Sequence, residues 1–257
     1  MTASRLSDLS HYTAAQDIAR AVLTDITAQI VPGASEASVH KACHDLMLAH
    51  GATDFWGNTP AFVLAGERLR LSVFDSSYVP SPKLFGENET ITIDVGPRID
   101  DYFGDSARTY FLRNGIIVSA AEAGEEEGEA MDFEAYLHGV FIKTVQPDMT
   151  FGDVHQKMSA LVSENGYENL DLLDAYGHSI AASTDDFIIM EKGNERLLGD
   201  VNYFTFEPHI AKGGSSLAVK YEEIYYFDHG LVKMVCRSYT ITVPGLAEAR
   251  FGCAFNR

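Results

Sequence analysis

Basic residues are scarce in this chain. Only 19 Lys and Arg stand against 37 Asp and Glu, and the resulting formal charge of -18 repels phosphate backbones and anionic lipid. Nucleic acid and membrane are therefore excluded as partners. Cysteine is scarcer still: Cys43, Cys236 and Cys253 are odd in number and far apart, which fits neither a disulfide framework nor a thiolate metal site. No segment approaches the run of about 20 apolar residues that spans a bilayer. The start, Met1 to Asp17, lacks the basic-then-apolar order of a signal peptide. A nucleophile elbow, a P-loop, an H-E-x-x-H helix and a glycine-rich dinucleotide turn are also missing. These absences leave a globular, cytoplasmic protein, with 46% hydrophobic residues to fill a core.

What the chain does have is a repeat. The segment from Val31 through Ser35 and the stretch after it return 115 residues later without a gap, pairing Pro32 with Pro147, Val39 with Val154, His40 with His155, Leu46 with Leu161 and Gly51 with Gly166. Ser35 and Thr150 each precede a run with apolar residues at helical spacing (Val39, Cys43, Leu46, Met47; Val154, Met158, Leu161, Val162) that ends in glycine. Both copies predict a capped amphipathic helix. A further helical stretch lies upstream of each, about 14–30 and 130–145, and β-rich segments follow. The predicted fold class is α+β: residues 1–13 form a loose lead-in, and 14–257 form one domain of two ααβ halves, about 14–115 and 116–245. Strands from both halves form a curved antiparallel sheet covered by the helices.

Acidic residues recur within apolar strand patterns in the same order. Asp94 and Asp105 stand in the first half and Glu207 and Glu222 in the second, with His178 between them in Gly177-His178-Ser179-Ile180. Burying carboxylates in such surroundings is costly unless cations neutralise them. A hairpin whose turn centres on Ile99-Asp100 would oppose Asp94 and Asp105 directly, with Cβ atoms roughly 5 Å apart. Four carboxylates match the charge of two divalent ions, and one imidazole among oxygen ligands favours Mn, Fe, Co or Zn. Glu222 and Glu223 point to opposite sides of a strand, so one of them enters the site.

These segments resemble the pita-bread metallopeptidases, the family of methionine aminopeptidase, Xaa-Pro aminopeptidase, prolidase and creatinase. The resemblance runs from about Ala14 to Val243 and rests on Ile93-Asp94-Val95-Gly96, the Asp in Gly104-Asp105-Ser106-Ala107-Arg108-Thr109, Gly177-His178, Phe206-Glu207-Pro208 and Tyr221-Glu222-Glu223. It implies a pita-bread fold, two metal ions held by Asp94, Asp105, His178, Glu207 and Glu222, and a hydrolase acting on a small peptide or amide through metal-activated water. It also makes Glu222, not Glu223, the ligand, and implies a homodimer.

Two departures stand beside the match. Family peptidases carry a His about 18 residues before the first Asp, where this chain reads Phe74-Asp75-Ser76-Ser77-Tyr78-Val79, and another seven residues after the metal-binding His, where it has Asp185. His209, two residues past Glu207, is a candidate replacement imidazole, and Asp185 a candidate for recognising a substrate amine. Glu207, His209 and Asp185 are thus the catalytic candidates. The departures also admit a lyase or specialised small-molecule hydrolase on the same scaffold, or a non-catalytic binding module.

Overall fold

The helix of each repeat starts where its cap residue says it should. In the computed structural model, which describes residues 3–251 apart from Asn58, Phe74, 182–185, Arg237, Ser238 and 242–248, helix α2 spans Glu36–Ala49 and α5 spans Phe151–Glu164. The Ser35 and Thr150 hydroxyls accept from the amides of Ser38 and Asp153, whose side chains return the bond to the cap amides. The buried stripes match as well, Val39, Cys43 and Met47 in α2 against Val154, Met158 and Val162 in α5. Even the histidines agree. His40 Nδ1 donates to the Ala61 carbonyl at 2.8 Å, and His155 Nε2 donates to that of Asp174 at 2.8 Å.

Three more helices complete the cover: α1 (Ala3–Asp25), α3 (Ala120–Ala123) and α4 (Glu125–Thr144). Helix α1 starts at Ala3, within the stretch expected to be a lead-in, because its Leu9 and Tyr12 have somewhere to go. They pack on a cluster around Phe103, Tyr203 and Ile224, contacts too distant in sequence for local pattern to show.

The first half contributes strands β1 (Asp54–Phe55), β2 (Ala61–Ala65), β3 (Glu89–Val95), β4 (Pro97–Ile99), β5 (Tyr102–Phe103), β6 (Ser106–Arg113) and β7 (Ile116–Val118). The second contributes β8 (Tyr167–Asn169), β9 (Phe204–Phe206), β10 (His209–Lys212), β11 (Ala218–Lys220), β12 (Glu223–Asp228) and β13 (Leu231–Met234), followed by the separate pair β14 (Tyr239–Ile241) and β15 (Ala249–Phe251). All the described strand pairs are antiparallel. Strands β2, β3, β6 and β7 form one sheet, whose Val63, Ile91, Ile93 and Val95 pack with Val22, Val39 and Met47 of α1 and α2. Phe204, Phe206, Ile210 and Tyr225 of the second-half strands pack with Leu137, Phe141 and Met158 of α4 and α5. The halves meet where the Glu222 amide donates to the Ala107 carbonyl at 3.1 Å and Ser106 Oγ donates to the Glu222 carbonyl at 3.0 Å.

The hairpin register differs from expectation by two residues. Arg98 pairs with Phe103 and Ile99 with Tyr102, so the turn is Asp100-Asp101, and Asp94 lies opposite Ala107 rather than Asp105. Asp100 takes the turn's left-handed conformation at φ 53°, which a short polar side chain tolerates and an isoleucine does not. A shift of two preserves the face. Asp94 and Asp105 therefore still point the same way, as diagonal rather than direct neighbours.

Candidate metal centre

Asp94 sits next to the end of β3, Asp105 just before β6, Glu207 just after β9 and Glu222 just before β12. In the second half Phe206 pairs with Glu223, and beyond the break at Pro208 His209 pairs with Lys220, which sets Glu207 and Glu222 across from one another. Proline has no amide to donate, so the ladder opens where the carboxylates stand. His178 reaches them from a segment threaded between two others: the Thr205 amide donates to the His178 carbonyl at 2.7 Å, and the Met190 amide to that of Gly177 at 2.7 Å. Gly177 permits this approach. It has φ 148°, and a Cβ there would lie 2.3 Å from the Thr205 carbonyl oxygen.

The five sequence candidates converge. Ligand atoms of Asp105, His178 and Glu222 lie within 4.8 Å of one another, as do those of Asp94, Glu207 and Glu222. His178 Nε2 is 3.3 Å from Glu207 Oε1 and 3.6 Å from Asp105 Oδ2. Asp105 and Glu222 are buried, and both oxygens of Glu222 lack a hydrogen-bond donor among the described residues. Burial pushes the carboxyls of Asp94, Asp105 and Glu222 up; Asp94 and Glu207 push that of Asp105 further, and Asp105 and Glu207 that of Glu222. Glu207 goes the other way. Burial would raise it, but Lys220 and His178 outweigh burial and hold it at about 2.

The donor set fits a divalent cation. His178 Nδ1 donates to the Ser179 carbonyl at 3.1 Å, so Nε2, which faces the carboxylate oxygens, is the nitrogen that would ligate an ion. Asp94, Asp105, His178, Glu207 and Glu222 would together hold such ions.

Supporting contacts come from residues that local sequence pattern does not mark. Thr205 Oγ1 accepts from the His178 amide at 2.9 Å and donates to Glu207 Oε1 at 3.0 Å, joining two candidate ligands. Gln16 of α1 grips Asp105 on both sides: its Nε2 donates to the Asp105 carbonyl at 2.7 Å and its Oε1 accepts from the Asp105 amide at 2.8 Å. The His178 ring lies between Trp56 and Phe187, with centroids 4.9 and 4.7 Å away. Glu223, facing away from the site, takes Arg20, Arg108 and Gln16. Burial alone would raise its carboxyl, but Arg108 and Arg20 hold it at about 2.

Lys220 is the participant sequence reasoning missed. Its Nζ lies 2.5 Å from Asp94 Oδ2, 2.9 Å from Glu207 Oε2 and 3.4 Å from Glu222 Oε2. A signal was present. Lys220 stands two residues before Glu222 in an apolar strand, so the period of two puts both on one face.

A cavity of about 460 Å³ opens on this cluster, with Asp94, His178, Glu207, His209 and Lys220 in its wall and Trp56, Phe62, Leu71, Leu173 and Phe187 among its apolar lining. His209 is buried, and its Nε2 donates to the Leu69 carbonyl at 2.7 Å. Burial, with Lys220 adding to it, lowers its imidazole to about 4. Asp185 lies outside the described residues. Elsewhere, Glu134 of α4 is buried with no hydrogen bond among the described residues, and burial pushes its carboxyl well up. No helix among the described residues is long and apolar enough to cross a membrane.

Residues 10–229 match the model of metallopeptidase family M24. A methionine aminopeptidase of Rickettsia prowazekii is 22% identical over 210 residues, covering 80% of this chain and 77% of that protein. Among solved structures, X-Pro aminopeptidase from Thermotoga maritima superposes with a TM-score of 0.73 at 19% identity over 89% of this chain, which spans 60% of that one. Prolidase from Pyrococcus furiosus does so at 0.73 and 19% over 91% of this chain and 64% of its own. Methionine aminopeptidase from Thermotoga maritima gives 0.69 and 17% over 89% of this chain and 96% of its own. The likeness to these structures shows the fold, the α+β pita-bread arrangement.

Proposed function

The chain belongs to metallopeptidase family M24 and is a metal-dependent hydrolase; on that premise we propose that it cleaves a peptide-like or small amide substrate carrying an apolar residue beside the scissile bond. The observation that carries this reading is the convergence of four carboxylates and His178 Nε2 at an apolar cavity, with Asp94, His178 and Glu207 in its wall. Asp94, Asp105, His178, Glu207 and Glu222 would hold the metal; the carboxylate charge of -4, before any other cation is counted, would match two divalent ions, and the oxygen-rich set with one imidazole would suit Mn, Co, Fe or Zn. Such ions supply an electrophile for the substrate carbonyl and make bound water acidic at neutral pH.

The rest is the work of the chain. Trp56, Phe62 and Phe187 offer an apolar side chain a dry wall, and so bring the amide to the carboxylates. The Ser179 carbonyl and Thr205 hold His178 and Glu207 in place before substrate arrives. His209 serves in this reading as a neutral acceptor, since Nε2 is committed to Leu69 and Nδ1 is left for a substrate N–H.

A panel of short peptides with apolar N-terminal residues, including Met-initiated and Xaa-Pro sequences, tests the proposal with protein loaded with Mn or Co. Turnover is expected, with Asp105→Asn lowering it by at least about 100-fold. A folded, metal-loaded protein that cleaves no member of the panel overturns the reading.

A further inference from the structure

The two ligand groups are not equivalent, because one of them already has a cation. Asp94, Glu207 and Glu222 surround the Lys220 ammonium, whereas among the described residues no ammonium or guanidinium is paired with Asp105 or His178. Nor is Lys220 a surface residue reaching in. Its amide donates to Thr109 Oγ1 at 3.0 Å and Thr109 Oγ1 donates back to its carbonyl at 3.1 Å, fixing the backbone on both sides, and its side chain is 16% exposed. The strand's alternation then directs the ammonium toward the carboxylates.

From this geometry we propose that Lys220 is a resident cation occupying the Asp94 and Glu207 half of the centre, so that the chain holds one divalent ion tightly, on Asp105, His178 and Glu222. The inference rests on the metal-dependent reading above and changes its count. Four carboxylates carry -4, so an ammonium with one divalent ion leaves -1 and an ammonium with two leaves +1; net charge does not decide the count, and position does. An ion shared by Asp94 and Glu207 would lie beside the ammonium that sits 2.5 Å from Asp94 Oδ2 and 2.9 Å from Glu207 Oε2, setting two cations close together in a largely buried site. The donor sets are also unlike. One group offers an imidazole and Asp105 beside the shared Glu222, the combination suited to a transition ion, while the group around Lys220 offers carboxylates alone.

The test is the number of ions bound, measured by elemental analysis after dialysis and by Mn(II) titration followed by electron paramagnetic resonance. The wild-type protein is expected to retain one ion per chain and give the spectrum of an isolated Mn(II). Lys220→Met and Lys220→Gln should retain two and show an exchange-coupled pair, while Lys220→Arg, which keeps the charge, should stay at one. Circular dichroism establishes that the variants are folded, and the two neutral substitutions guard against a defect peculiar to either. Two tightly held ions in the wild type overturn this inference and leave the hydrolase reading intact. One ion in the wild type and in both neutral variants overturns the role of Lys220. No ion in the wild type or any variant overturns both.

Discussion

Glu222 and Glu223 are adjacent in sequence and have opposite fates. Glu222 faces the centre with no hydrogen-bond donor among the described residues, while Glu223 faces α1 and is held by Arg20, Arg108 and Gln16. Glu223→Gln should therefore destabilise the protein by about 3 kcal/mol at pH 7, because two guanidinium groups lose their counter-charge. Its folded carboxyl, at about 2, lies below the ordinary 4.5, so its contribution is present above pH 4.5 and lost as pH falls toward 2. Urea unfolding of both proteins at pH 7 and pH 3 checks this. The gap between them should narrow at the lower pH, and an unchanged gap contradicts the ion pairs. That the two residues part company was legible from strand alternation alone, but which one met arginine was not. Arg20 and Arg108 are more than a hundred residues from Glu223 in sequence, and no local pattern reaches that far. For Lys220 the face was legible from its spacing of two to Glu222, but its partners were not, since they come from three separate strand ends.

At the level of elements, the helices were the most legible part, because capping and apolar period are local. Ser35 and Thr150 each set a start, and the two helices repeat at the same offset at both ends. Strand pairing was legible only to within a turn, since one conformation at Asp100 moved the register by two. Helix α1 shows how an element becomes functional without carrying a ligand. It crosses β4, β5 and β6, and Gln16 clamps Asp105 only because Gly104 lets the helix come close; a Cβ at Gly104 would lie 2.5 Å from the Ala15 carbonyl oxygen. Gly104→Ala should push α1 outward, costing about 1–3 kcal/mol of stability and weakening Mn(II) binding together. Calorimetry and isothermal titration measure the two losses. Lost stability with unaltered affinity would detach Gln16 from the positioning of Asp105.

Across the whole molecule, the first half supplies Asp94 and Asp105 and the second His178, Glu207 and Glu222, so an ion held by both joins them. Mn(II) at 100 times its dissociation constant should add about 2.7 kcal/mol to stability, raising Tm by roughly 5–10 °C, and a chelator should reverse it. Asp105→Asn, which removes a ligand of the first half, should abolish the shift. Scanning calorimetry with and without the ion reads it directly, and a Tm indifferent to the metal would show that the halves are not joined there. The repeat made this division visible in sequence, through carboxylates recurring near the offset of the helices. The aromatic stack on His178 was not visible, because Trp56 and Phe187 come from segments with no periodic signature. That stack has an optical consequence. Trp56 is the chain's single tryptophan, and its indole lies face to face with a candidate ligand, so its emission arises from one known place. Paramagnetic ions in the centre would shorten its excited-state lifetime where zinc would not. The protein thus carries its own fluorophore at its centre, and its light reports on the kind of ion seated there.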